Sequence, residues 1–184
     1  MYKLTGGNIL LDVNLILTKA GIEEGMKVAD LGCGTTGHFV FPAADLVGEK
    51  GIVYAIDILK TAIEAINRRI KQEKARNIKT IWSNLEIFNA TKIESGSIDI
   101  VLLINTLYQS HKRVEILREA ARLLKKGGKL VVVEWKNIAL PFGPPLDERV
   151  QVEFLKKGAL KFGLELEKEF FVGHFHFGLI FIKM

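Results

Sequence analysis

Cysteine is nearly missing from this chain. Cys33 stands alone among 184 residues, so it has no partner for an internal disulfide and no companions for a thiolate zinc site; no metal is expected. Long hydrophobic runs are missing too. No stretch reaches the roughly 18 uninterrupted apolar residues of a membrane helix, the opening MYKLTGGNILLDVNLILTK included. Proline is sparse, with four in all, and no Pro/Ser-rich linker, low-complexity tract or repeat marks a domain boundary. Neither sign of charge dominates: 26 Lys and Arg face 21 Asp and Glu, a formal charge of +5 that permits a polyanionic partner without requiring one. These absences exclude a disulfide scaffold, a membrane span and a disordered chain. They leave one domain over residues 1–184, expected in the reducing cytoplasm.

What is present is alternation. With 48% hydrophobic and 26% charged residues, the chain can bury one good core. Asn8 to Ala20 carries apolar residues at helical spacing and stops at Gly21; Met26 to Leu31 reads as a short buried strand. Ile52 to Ile56 predicts a second strand, Leu59 to Glu73 an amphipathic helix, Ile78 to Trp82 a third strand and Ile98 to Ile104 a fourth. Val114 to Leu124 predicts the next helix, and Lys129 to Glu134 a fifth strand after a KKGG turn. Nearly continuous apolar strands between amphipathic helices imply a parallel sheet covered on both faces. After a helix at about Glu148 to Phe162, the runs Leu164 to Val172 and Phe175 to Ile182 are separated only by Gly173-His174. That is too short for a crossover, so they must form an antiparallel hairpin. The expected fold is therefore α/β, a doubly wound, mostly parallel seven-stranded sheet ending in that hairpin.

The most informative stretch is Val28-Ala-Asp-Leu-Gly-Cys-Gly-Thr-Thr-Gly-His-Phe39. Glycines 32, 34 and 37 follow a strand and precede a helix, where bare backbone amides can meet a polar ligand. Asp57 ends the second strand, where a carboxylate can accept hydrogen bonds from both hydroxyls of a ribose. The alternative is that the glycines only allow close packing and that Asp57 caps the next helix. The spacing also satisfies the dinucleotide fingerprint of NAD-binding proteins. Against NAD, Asp30 at the mouth of the loop would repel a pyrophosphate and would suit an ammonium group, and the chain has no second, substrate-binding region.

In order, VADLGCGTTG, VYAIDI, SIDIVLLINTLYQ and LLKKGGKLVVVEWK resemble the successive motifs of class I S-adenosylmethionine-dependent methyltransferases, closest to the small ubiquinone/menaquinone-biosynthesis type. The resemblance covers about Gly21 to Lys136 and, more loosely, the hairpin. It implies S-adenosylmethionine as cofactor, with Asp30, Gly32 and Gly34 lining its methionine part, Asp57 holding the ribose and Ile58 packing on adenine. Asn105 would face the methionine end. Asn84, beside Leu85, stands where the family usually carries an adenine-binding Asp; its amide oxygen can still accept that hydrogen bond. The third glycine is delayed by one residue relative to the frequent GxGxG pattern, and Thr35 and Thr36 either donate hydroxyls to the cofactor or cap the next helix.

In such a sheet the ligand lies beyond the carboxyl ends of the strands, which places the methyl acceptor near Asn105 to His111. Catalytic candidates are Tyr108, His111 and His174, with Glu134 and Lys136 at the end of the fifth strand. Tyr108 also reads as a wall residue, His111 as a polar helix start, Glu134 as a partner of Lys136, and His176 as a core histidine; His38 is ambiguous. Ile138 to Leu146 concentrates three of the four prolines and reads as a stiff apolar wall over the acceptor. Lys3 to Gly7 would fold across the same edge as a lid. A small-molecule acceptor is favoured by chain size and by the lack of an RNA-binding module. The alternatives are an RNA or protein acceptor, with Arg68, Arg69, Lys71, Lys74 and Arg76 as a basic footprint and a partner subunit supplying recognition, and a nucleotide-binding regulatory module without catalysis.

Overall fold

In a computed structural model, which describes residues 10–184, the apolar runs of the central strands are covered on both faces. The Lys3 to Gly7 lid and the start of the first helix at Asn8 lie outside the described residues. Helix α1 (Val13–Ala20) begins where the Asp12 carboxylate accepts the Leu15 amide and ends at Gly21. Strand β1 (Lys27–Leu31) leads into the glycine loop, α2 (Val40–Val47) and β2 (Ile52–Asp57). Next come α3 (Lys60–Glu73), β3 (Ile78–Trp82), β4 (Ile98–Ile104), a 3-10 turn at Leu107–Gln109 and α4 (Arg113–Leu123). The chain closes with β5 (Leu124–Trp135), α5 (Val152–Leu160), β6 (Leu164–Phe171) and β7 (His176–Lys183).

The seven strands form one sheet in the order β3-β2-β1-β4-β5-β7-β6. The first five in the chain pair in parallel, and β7 pairs antiparallel with both β5 and β6. Alternate residues of each central strand face opposite cores. Val28, Leu102, Val131 and Ile180 pack with α1, α2 and Ile66 of α3. Ala29, Leu31, Val101, Leu103 and Val132 pack with Leu117 and Ala120 of α4 and with Leu155 and Ala159 of α5. This two-sided burial is why the strands read as unbroken apolar runs.

Three boundaries differ by several residues from the sequence expectation, the first being the start of α1, at Val13 and not at Asn8. The KKGG segment does not separate α4 from a strand beginning at Lys129; β5 starts at Leu124, which pairs with Ile98, and a bulge carries the ladder on to Lys129 opposite Ile100. Helix α5 begins at Val152, not near Glu148, because Arg149 is committed to the preceding loop: its guanidinium donates to the carbonyls of Lys136, Ile138 and Pro144.

Candidate functional site

β1 lies between β2 and β4, so the sheet reverses its winding direction there and a crevice opens beyond the carboxyl ends of these strands. The loop after Leu31 is tied to β2, since the Gly32 and Cys33 amides both donate to the Ile56 carbonyl, at 2.8 and 3.0 Å. Gly32 and Gly34 hold left-handed backbone, φ +86° and +63°, for different reasons. A Cβ on Gly32 would stand 2.6 Å from Thr106 Oγ1, whereas one on Gly34 would meet nothing within 4 Å. Gly32 lets β4 close on the loop; Gly34 leaves the cleft open. Thr35 and Thr36 sit on the exposed rim, too far ahead of α2 to cap it; the Thr36 carbonyl instead accepts from Arg69.

Asp57 lies at the end of β2 and is buried. One carboxylate oxygen accepts from the Gly34 amide and the other from the Leu59 amide, each at 2.9 Å. Both oxygens keep a lone pair for a ligand, and both amides fix where those lone pairs point. Around it a cleft of about 340 Å³ is lined by Gly32, Gly34, Asp57, Ile58, Asn84 and Leu85, all expected from the sequence. The lining also includes Thr106, Gln109 and Ser110, from the stretch Asn105 to His111 expected to meet the acceptor, and Glu86 and Ile116, which sequence reading missed. Ile58 is exposed on the rim and Leu85 is buried. Asn84 Oδ1 already accepts the Glu86 amide, so only its remaining lone pair is available for an adenine amino group.

Two expected cofactor residues are absent from that lining. Asp30 is buried in β1, where burial, together with the Asp57 charge, pushes its carboxyl up to about 7. Asn105 is buried just past β4 in left-handed backbone, φ +53°, with its amide donating to the Val133 carbonyl. Cys33 is buried, and its thiol is pushed well above its ordinary value by burial and the Asp30 and Asp57 charges, so it serves as packing.

Of the three catalytic candidates, only Tyr108 sits on the turn beside the cleft. Its phenol is pushed up by burial and by Glu134 and Glu148, so it stays protonated at neutral pH and is a hydrogen-bond donor, not a base. His111 is exposed and lines a separate groove between α4 and α5. His174 is exposed in the hairpin turn, against the rings of Phe171 and Phe175. His38 is half-buried at the loop's end, edge-on to Phe39.

Glu134 does not pair with Lys136, whose amine donates to the Gly173 carbonyl. The Glu134 side chain is fully buried and accepts the Leu107 amide at 2.5 Å, pinning the turn that walls the cleft. Burial pushes its carboxyl up to about 8 despite the backbone donors of Leu107, Tyr108 and Thr106. Within the basic set on and after α3, Arg69 is committed to Glu73, the Thr36 carbonyl and the Phe41 ring.

The profile of a methyltransferase domain matches residues 22–164. The chain is 30% identical over 125 residues to the demethylmenaquinone methyltransferase of Lactococcus lactis, a match covering 68% of this chain and 48% of that protein. It is 29% identical over 141 residues to aklanonic acid methyltransferase DauC of a Streptomyces species, covering 76% and 60%. The fold matches the crystal structure of an S-adenosylmethionine-dependent methyltransferase from Aquifex aeolicus, with a TM-score of 0.87 and 23% identity over 98% of this chain and 94% of that one. The chain spans about half the length of the curated relatives it matches.

Proposed function

The chain belongs to the class I S-adenosylmethionine-dependent methyltransferases, and from that premise we propose that it transfers the cofactor's methyl group to a small-molecule acceptor. The observation that carries this reading is Asp57, whose buried carboxylate is aimed by the Gly34 and Leu59 amides at the cleft beyond β1 and β2. The open space above Gly34 fits a ligand lying on bare backbone, and the paired lone pairs of Asp57 fit a ribose diol. Burial and the Asp57 charge push the Asp30 carboxyl up to about 7, and a cationic ammonium group beside it would lower it again.

When bound, the cofactor supplies a methyl group on a sulfonium, an electrophile whose positive charge disperses on transfer. The chain's own work is placement. Thr106 hydrogen-bonds the Leu31 carbonyl and so fastens the acceptor-side turn to the cofactor-side loop at 2.9 Å. Gln109 donates back to the Asn105 carbonyl, and Ser110 donates to Glu86 across the cleft. A turn held this firmly presents its acceptor in line and keeps water out, and alignment alone yields effective molarities on the order of 10⁵ to 10⁸ M. Tyr108 flanks the cleft on the same turn, and no general base is assigned. The small-molecule reading is supported by the named acceptors of the relatives, a demethylmenaquinone and aklanonic acid, and by the commitment of Arg69 to contacts within the fold.

Calorimetric titration with S-adenosylmethionine, S-adenosylhomocysteine and NAD tests the cofactor reading. The first two are expected to bind and NAD not; Asp57→Ala is expected to weaken binding by about 10- to 100-fold, as loss of charge-assisted hydrogen bonds implies. Binding of NAD alone overturns it. Following labelled methyl into small molecules, RNA and protein separately tests the acceptor class, and label in RNA or protein alone rejects the small-molecule reading.

A further inference from the structure

At the carboxyl edge of the parallel strands, β5 ends at Trp135 and β7 begins at His176, directly opposite each other in the antiparallel ladder. Their ring centroids are 4.3 Å apart. Both residues are almost wholly buried, at 2% and 1% exposure, yet Trp135 Nε1 and His176 Nε2 have no hydrogen-bond partner among the described residues. Buried polar groups are nearly always paired, so two adjacent orphans mark a place built for something else. They lie at the same sheet edge as the turn after β4, because the Asn105 backbone amide donates to the Val133 carbonyl, two residues before Trp135 on the same strand.

The cover over this pair is irregular chain. Phe142 packs edge-on against Trp135 and Phe175, at centroid distances of 6.1 and 4.9 Å. Gly143 lies flat on the indole, where a Cβ would come within 2.9 Å of the ring. The segment borders a shallow, open depression of about 280 Å³ whose wall includes Phe142, Gly143 and Arg149. Its tether is Arg149, whose guanidinium also donates to the Phe142 carbonyl in addition to the three already described. No helix or strand holds the cover from within.

We propose that Trp135 and His176 form the recognition site for the hydroxyl group of a flat aromatic acceptor, reached when the segment 137–148 lifts about Arg149. The inference rests on the methyl-transfer reading and names the substrate class for it. An indole N–H only donates, and a neutral imidazole nitrogen can accept. A hydroxyl answers both with one oxygen, accepting from Trp135 and donating to His176; a carbonyl or ether answers only the first. Burial, with Lys136 and Arg149 close by, pushes the His176 imidazole down to about 4, so it is neutral at ordinary pH. The faces of Phe142 and Phe175 supply the apolar walls that a flat ring needs.

The test uses the full chain saturated with S-adenosylhomocysteine. It has two tryptophans, so Trp82→Phe assigns the Trp135 indole N–H resonance. The probes are 2-naphthol and 2-methoxynaphthalene, which share the ring and its oxygen, the ether carrying a methyl group in place of the hydroxyl proton. We expect 2-naphthol to shift the Trp135 resonance and to bind about tenfold more tightly or better, since a site built for a hydroxyl discriminates against its absence. His176→Phe is expected to erase that preference. Arg149→Lys, which keeps charge but loses the fork, is expected to speed exchange of the Trp135 indole proton. Equal binding of the two probes to the unmutated chain, an unmoved resonance, or a preference that survives His176→Phe each overturns the proposal. Failure of S-adenosylhomocysteine to bind at all instead sinks the methyl-transfer reading.

Discussion

Glu134 and Asp57 are both acidic residues at strand ends, but only Asp57 has a position rule that sequence can apply. The role proposed for it follows from lying at the end of the strand after the glycine loop. The partner of Glu134 is a backbone amide 27 residues earlier, at Leu107, and nothing in the local pattern around Glu134 announces it. Its carboxyl titrates near 8 in the folded chain and near 4.3 when unfolded. Between those values the folded state holds a proton that the unfolded state has lost, so stability falls as pH rises through this window. Glu134→Gln keeps an acceptor for Leu107 and removes the titration. Thermal melts at pH 5.5 and pH 8.5 should therefore differ less in the variant than in the parent; an unchanged difference would reject the buried-carboxylate account.

At the scale of elements, the place of the glycine loop between β1 and α2 was legible, but the separate duties of its glycines were not. Those duties depend on Thr106, brought alongside by the β1 and β4 pairing. Gly32→Ala must displace a threonine and strain left-handed backbone, a cost of about 2 to 4 kcal/mol. Gly34→Ala meets only the backbone cost of about 1 to 2 kcal/mol and places a methyl group in the cleft. Urea unfolding paired with calorimetry should show the first variant chiefly destabilised and the second chiefly deficient in cofactor binding. A second element-level device lies on α4. Glu119 is fully buried and accepts from Thr91, the Asn89 amide and Arg122, pinning the long connection before β4. Glu119→Ala strands Arg122, a residue whose side chain is only 7% exposed, and should cost about 3 to 5 kcal/mol in urea unfolding. A polar residue on an amphipathic helix reads as surface in sequence, so this anchor was not foreseen.

Across the whole molecule, the alternation of strands and helices and the closing hairpin were readable because two-sided burial writes itself as apolar runs. The irregular stretch from 136 to 151 was not, since its shape comes from Arg149 reaching carbonyls rather than from a periodic pattern. Trp82 ends the edge strand β3, and Trp135 ends β5 beside the hairpin. If residues 10–184 unfold as one cooperative unit, single-tryptophan variants reporting from these two places should give coincident urea midpoints that also match far-ultraviolet dichroism. Separated midpoints would divide the chain into independent parts.

In the sheet, residues before β4 and residues from β4 onward meet along the β1 and β4 seam alone. The cleft straddles that seam, taking Gly34, Asp57 and Asn84 from one side and Thr106, Ser110 and Ile116 from the other. Severed within the connection from 87 to 97, the protein becomes two fragments that each carry half a binding site. On the proposed reading, a cofactor spanning the cleft would clamp the two fragments together, and their reassembly would gauge how much of it is present.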